Sequence, residues 1–120
     1  MYALIFEQMQ AALRDDPSDW AGVIDVETPA GWFYVATVSN IGLAVCAPGH
    51  WPAGADITIR VLTTDAWTGS VTSPETLPAI VDAGLVTTDD PDPRGAKFAY
   101  ERWGVYLQKR ADYVAAHPAP

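Results

Sequence analysis

A chain of 120 residues with 15 acidic and seven basic side chains carries a formal net charge of −8, and 49% of it is hydrophobic. That apolar content excludes intrinsic disorder, the length suits a single domain over residues 1–120, and so acidic a body repels the phosphates of nucleic acid. The one cysteine, Cys46, has no intramolecular partner, which fits a reducing, cytoplasmic setting. No apolar run nears the ~20 residues of a membrane span, so no membrane partner is expected.

Tyr2, Ile5, Phe6, Met9, Ala12 and Leu13 recur at helical spacing, which predicts an amphipathic helix over residues 2–14. A strand over the first six residues is the rival reading. Met1 to Phe6 has no basic flank and meets Glu7 at once, so it does not read as a signal peptide. Asp15-Asp16-Pro17-Ser18-Asp19 then breaks the period, because proline disfavours helix in the residue before it.

The middle of the chain reads as β-structure. Val23 to Glu27 leads into the turn residues Pro29-Ala30-Gly31, and Trp32 to Val38 follows, rich in aromatic and β-branched side chains. Asn40 offers another turn before a strand from Gly42 to Cys46. Pro48 to Gly54 reads as a loop. Residues 56–63 alternate cleanly, with Ile57, Ile59 and Val61 on one face. The short spacings favour antiparallel pairing.

Ser73-Pro74-Glu75 reads as a helix start, with Ser73 as N-cap, and Gly84 as the stop. Leu85 to Thr88 can add a strand. The rigid acidic loop Asp89-Asp90-Pro91-Asp92-Pro93 leads to a last helix from about Gly95 to Ala116, striped by Ala99, Tyr100, Trp103, Tyr106, Leu107, Tyr113 and Val114. Gly104 weakens that helix by about 1 kcal/mol relative to alanine. The expected fold is therefore α+β: an antiparallel sheet of four to six strands packed against a C-terminal helix, with an N-terminal helix beside it.

Charge divides unevenly along the chain. Residues 1–93 hold 13 acids and two bases, a net of −11, whereas residues 94–120 hold five bases and two acids, a net of +3. The basic segment can dock on the acidic body or meet a separate partner. The acidic clusters Asp15, Asp16, Asp19 and Asp89, Asp90, Asp92 would face a basic protein surface through electrostatic steering. Trp51 and Trp67, both read as loop residues, would anchor the contact, since tryptophan is enriched at binding hot spots.

Other chemistry is thinner. Asp90 and Asp92 with Gly95 and Glu101 fall at positions 1, 3, 6 and 12 of a calcium loop, but Arg94 puts a cation where an anion should ligate. Cys46 and His50 sit four residues apart around a Pro-Gly turn, a spacing a thiol–imidazole pair can use. No phosphate-binding, dinucleotide-binding, zinc-protease or serine-hydrolase motif occurs, and no cofactor or metal is implied.

These features favour a non-enzymatic acidic module that binds another protein, such as an immunity protein or a phage-encoded inhibitor of a nucleic-acid-processing or toxin enzyme. One alternative is a phage virion subunit (head–tail connector, neck or tail terminator), where opposite-charged faces suit a homo-oligomeric ring. The other is a small enzyme built on Cys46 and His50.

Overall fold

In the computed structural model, which describes residues 2–38 and 42–118, the first helix, α1, spans Tyr2–Asp15. It buries Ile5, Phe6, Met9, Ala12 and Leu13, the stripe that the spacing predicts, so the rival strand is excluded. Pro17 keeps it from running on, and Asp16 N–H closes the last turn on the Ala12 carbonyl at 2.8 Å.

Five strands follow: β1 (Gly22–Thr28), β2 (Gly31–Val38), β3 (Leu43–Pro48), β4 (Ile57–Val61) and β5 (Val86–Thr88), in the spatial order β3-β2-β1-β4-β5. The β1–β2 hairpin turns at Pro29-Ala30, and Gly31 follows with φ +124°, a conformation that favours glycine. Thr28 ties the corner: its hydroxyl accepts from Ala30 N–H and donates to the Gly31 carbonyl. The turn expected at Asn40 lies outside the described residues.

The expected α+β architecture is present, with one pairing of different sense. β1–β2, β2–β3 and β4–β5 are antiparallel, but β1–β4 is parallel. The reason is the segment from Gly49 to Asp56. It does not return β4 beside β3, its predecessor in sequence, but brings it to the free edge of β1. Asp56 fastens the arrival: its N–H donates to the Val23 carbonyl and its carboxylate accepts from Val23 N–H, both at 2.9 Å.

Between β4 and β5 lie two helices. α2, Thr64–Thr72, has no counterpart among the sequence expectations, although Thr63 caps it by accepting from Ala66 N–H at 3.0 Å. Ser73 does not cap the helix expected after it. Pro74–Thr76 is a 3-10 turn, and α3 proper is Leu77–Asp82. Gly84, at φ +76°, ends α3 as expected. The last helix, α4, spans Pro93–Ala116 and is capped by Asp92, whose carboxylate accepts from Arg94 N–H at 2.9 Å.

The core lies where α1 and α4 cover one face of the sheet. Ile24, Val26, Val35 and Ile59 point up from the strands, and Phe6, Met9, Trp103, Tyr106 and Leu107 come down from the helices. The Tyr106 hydroxyl lies 3.2 Å from the Thr37 hydroxyl, so the phenol keeps a partner inside the core. Three basic residues of α4 serve this packing. Lys109 pairs with Asp16 at 2.7 Å, Arg110 donates twice to the Gln8 side chain, and Arg102 donates to the Ser18 hydroxyl. The positive segment thus docks on the acidic body.

α1 also closes the outer edge of the sheet. The Gln10 side chain accepts from Cys46 N–H at 2.9 Å, and Arg14 Nε donates to the Ala44 carbonyl at 2.8 Å. Both are groups of the edge strand β3 that an open sheet would leave free.

Candidate functional site

A groove runs over the outside of the molecule between α4 and the Pro74–Asp82 segment, with a volume of about 840 Å³. Its walls are apolar: Pro74, Leu77, Pro78 and Val81 from one side, and Pro93, Ala96, Tyr100, Gly104 and Val105 from α4. The spacing of the α4 residues defines a second stripe next to the core-facing one. At 100° per residue, Gly104 stands about a quarter turn round the helix from Trp103. Leu77, which is buried, packs close to α4 at Gly104: a Cβ there would stand 3.4 Å from Leu77 Cδ2. Glycine at this point costs helix propensity but leaves depth in the groove. Glu75, Asp82, Lys97, Glu101 and Gln108 complete the lining, all exposed.

A smaller depression of about 480 Å³ lies at the start of α4, bordered by Trp20, Ile57, Phe98, Asp56, Asp89 and Asp90. Trp20 meets Phe98 edge-on at 6.0 Å. Its carboxylates are already occupied within the chain: Asp56 by Val23 N–H, Asp89 by Arg60, and Asp90 by Asp92 N–H. A Cβ at Gly95 would meet the Asp90 carboxylate, so a larger residue there has to turn that exposed side chain aside.

The six aspartates among the sequence-predicted binding residues are exposed, whereas Trp67 is buried. Asp15, Asp16 and Asp19 are exposed at the end of α1, where Asp16 holds Lys109. Asp89, Asp90 and Asp92 stand at the start of α4, roughly 24 Å along the helix from Lys109 at 1.5 Å per residue. Asp89 accepts a forked pair of bonds from Arg60 at 2.9 and 3.1 Å, and that guanidinium holds its carboxyl below the usual range.

Trp67 corrects the loop reading outright. It lies on α2, is 1% exposed, and stacks against Tyr2 and Phe6. Trp51 is half-buried. Its ring meets Tyr34 edge-on at 5.3 Å, and its backbone N–H donates to the Asp25 carboxylate.

The calcium-loop reading fails on geometry. α4 is already helical from Pro93, so the segment from position 4 to Glu101 is rod rather than loop, and Glu101 pairs with Lys97 instead. Among the described residues no three His, Cys, Asp or Glu side chains gather closely enough to hold a metal.

Cys46 and His50 do not meet either. Cys46 pairs across the sheet with Val35, which faces the core, and burial pushes its thiol up to about 12 despite the nearby Arg14. His50 lies on the opposite face, where its Nδ1 is 3.2 Å from the Asp25 carboxylate and its ring packs on Trp32 at 4.3 Å. Asp25 is 7% exposed, so this pair serves to pin the Gly49–Asp56 segment to the sheet.

The groove itself escaped the sequence reading. The spacing places Tyr100 in the core stripe, and Gly104 reads only as a weak point of the helix. The signal lay in Ala96, Tyr100 and Gly104 recurring beside Ala99, Trp103 and Tyr106, which gives α4 more apolar width than one core needs.

No family model and no curated protein matches the chain. Solved structures do. One is described as "UbiJ-SCP2 Ubiquinone synthesis protein", with a TM-score of 0.59 and 11% identity over 91% of this chain and 97% of that one. Another is "Sterol Carrier Protein 2 from Yarrowia Lipolytica (apo form)", with a TM-score of 0.57 and 17% identity over 89% of each chain. These neighbours overturn the expectation of an acidic protein-binding module, and they give no support to the immunity, inhibitor, phage or virion readings. Among the described residues, no helix is long and apolar enough to cross a membrane. What the chain shares with both structures is its fold, an N-terminal helix, a mostly antiparallel mixed sheet and a C-terminal helix.

Proposed function

We propose that this chain is a small, non-catalytic module that binds a lipid-like molecule in the groove between α3 and α4. The observation that carries this reading is the groove itself: about 840 Å³, walled by prolines, Leu77, Val81, Tyr100 and Val105, and wide enough for a drug-sized apolar ligand. The shared fold supports it, since one neighbour is described as a sterol carrier protein and the other as a ubiquinone synthesis protein. Binding would be driven by removal of apolar ligand surface from water, at roughly 25 cal/mol per Å² before the cost of ordering the ligand. A reducing, cytoplasmic setting suits the unpaired Cys46.

Nile red, a neutral dye whose emission rises in apolar surroundings, provides the test. The expected result is saturable binding at one dye per chain, competed by dodecanol. Gly104→Trp places an indole in the groove and should abolish the signal while the chain stays folded by circular dichroism. Non-saturable dye uptake, or equal binding by the folded Gly104→Trp variant, would overturn the proposal.

A further inference from the structure

The groove is apolar along its walls but not neutral at its mouth. Three carboxylates, Glu75, Asp82 and Glu101, belong to its lining against one ammonium, Lys97, a local net of −2. Lys97 is the partner of Glu101 at 3.9 Å across one helical turn, an exposed pair that leaves Glu75 and Asp82 uncompensated among the described residues. Of the remaining cations of α4, Arg94 is exposed beside Asp92, and three are committed elsewhere. Arg102 binds Ser18, Lys109 binds Asp16, and Arg110 binds Gln8 and the Val71 carbonyl.

The helix termini bordering the groove do not reverse this sign. α3 brings its C-terminal end, with Asp82 as its last residue, where backbone carbonyls add partial negative charge. The N-terminus of α4 would attract anions, but the Asp92 carboxylate already occupies it. A lipid whose chain lies against Leu77, Val81 and Tyr100 therefore carries its head group into a negative field with no guanidinium or imidazole in the lining to receive an anion.

We infer that the groove discriminates by head-group charge, taking neutral or cationic amphiphiles and rejecting anionic ones such as fatty-acid carboxylates, through Glu75, Asp82 and Glu101. The inference rests on the groove being the ligand site. With a net of −2 about 8 Å from the head group, Coulomb's law in a water-like dielectric favours a cation over an anion by about tenfold at low salt, after partial screening.

The experiment displaces Nile red with three ligands of one chain length: dodecanol, dodecyltrimethylammonium and dodecanoate, each below its micelle threshold. The order expected in 20 mM salt is dodecyltrimethylammonium tightest, dodecanol between, and dodecanoate weakest, with about tenfold between the charged pair. That gap should shrink to about twofold in 0.5 M salt. Glu75→Gln with Asp82→Asn and Glu101→Gln leaves Lys97 as the one charge in the lining, a local net of +1, and should abolish the preference for dodecyltrimethylammonium at low salt. If dodecanoate equals or exceeds dodecyltrimethylammonium while dodecanol still displaces the dye, the charge selection is wrong and the lipid groove survives. A gap that persists in the triple variant would likewise assign selection elsewhere. If dodecanol displaces nothing, the ligand site itself is wrong and both readings fall.

Discussion

The two apolar stripes of α4 lie side by side on one helix and meet different fates. Ala99, Trp103, Tyr106 and Leu107 are 0–2% exposed, sealed between α1 and the sheet. Tyr100, Gly104 and Val105, on the neighbouring stripe, are only partly covered and look onto α3 across open space. The difference is one of partners rather than of hydrophobicity. The first stripe faces a sheet and another long helix, which fill the space to interior density. The second faces the short Pro74–Asp82 segment, which touches α4 at Leu77 and leaves the groove open beside it. An apolar helix face is thus a core where its neighbour is continuous and a receptacle where its neighbour is short.

The strongest way to break that distinction is to empty the sealed stripe. Trp103→Ala should cost about 3–5 kcal/mol, read by urea unfolding, because the fully buried indole leaves a cavity its neighbours cannot close. A loss below 1 kcal/mol would mean that the sealed stripe is no better packed than the open one.

Cys46 tests the seal from the sheet side. Its thiol, pushed up to about 12 by burial, stays protonated in the folded chain at pH where the unfolded chain ionises. The stability it contributes is complete below about pH 9 and is lost as pH rises towards about 12. Cys46→Ala should flatten that alkaline decline in urea melts across pH 8–11. At pH 8, labelling of the native thiol by a disulfide reagent should run at least ~100-fold slower than in urea.

On the open stripe the sign reverses. Gly104→Ala should raise stability by up to about 1 kcal/mol, because alanine is the better helix former and its Cβ makes an ordinary contact with Leu77. A loss instead would show that α3 and α4 already touch too tightly at Gly104 for any side chain. The smallest effect belongs to Asp89, outside both stripes. Its depressed carboxyl contributes stability above the unfolded pKa near 4, lost as pH falls through the lower folded value. Asp89→Asn should therefore melt slightly earlier than the parent at pH 7 and together with it at pH 2.

Much of this fold was legible in the chain. The α1 stripe, the Pro29–Gly31 turn, the alternation of β4 and the extent of α4 follow from local periodicity and turn chemistry. What escaped was non-local. The parallel β1–β4 pairing depends on where an eight-residue segment travels, which Asp56 and Asp25 decide by bonds across the sheet. α2 was hidden because its threonines and Gly69 are poor helix formers, and tertiary burial of Ala66, Trp67, Ser70 and Val71 outweighs their propensity. The groove was least legible, because it is a space between two segments and its lining residues look like core in one dimension. Acidic residues drew attention by number, yet 15 carboxylates on a small surface include many whose only partners are a backbone N–H or a neighbouring cation.

The guard on the sheet edge has a consequence for how the chain is made. Gln10 and Arg14 belong to a segment that leaves the ribosome well before the strand they cover, which is complete only at Pro48. The cover is therefore synthesised ahead of the hazard. When β3 first joins β2, the side chains that occupy its outward N–H and carbonyl groups are already at hand, and the nascent sheet need not wait, open to a neighbouring chain, for later sequence to arrive.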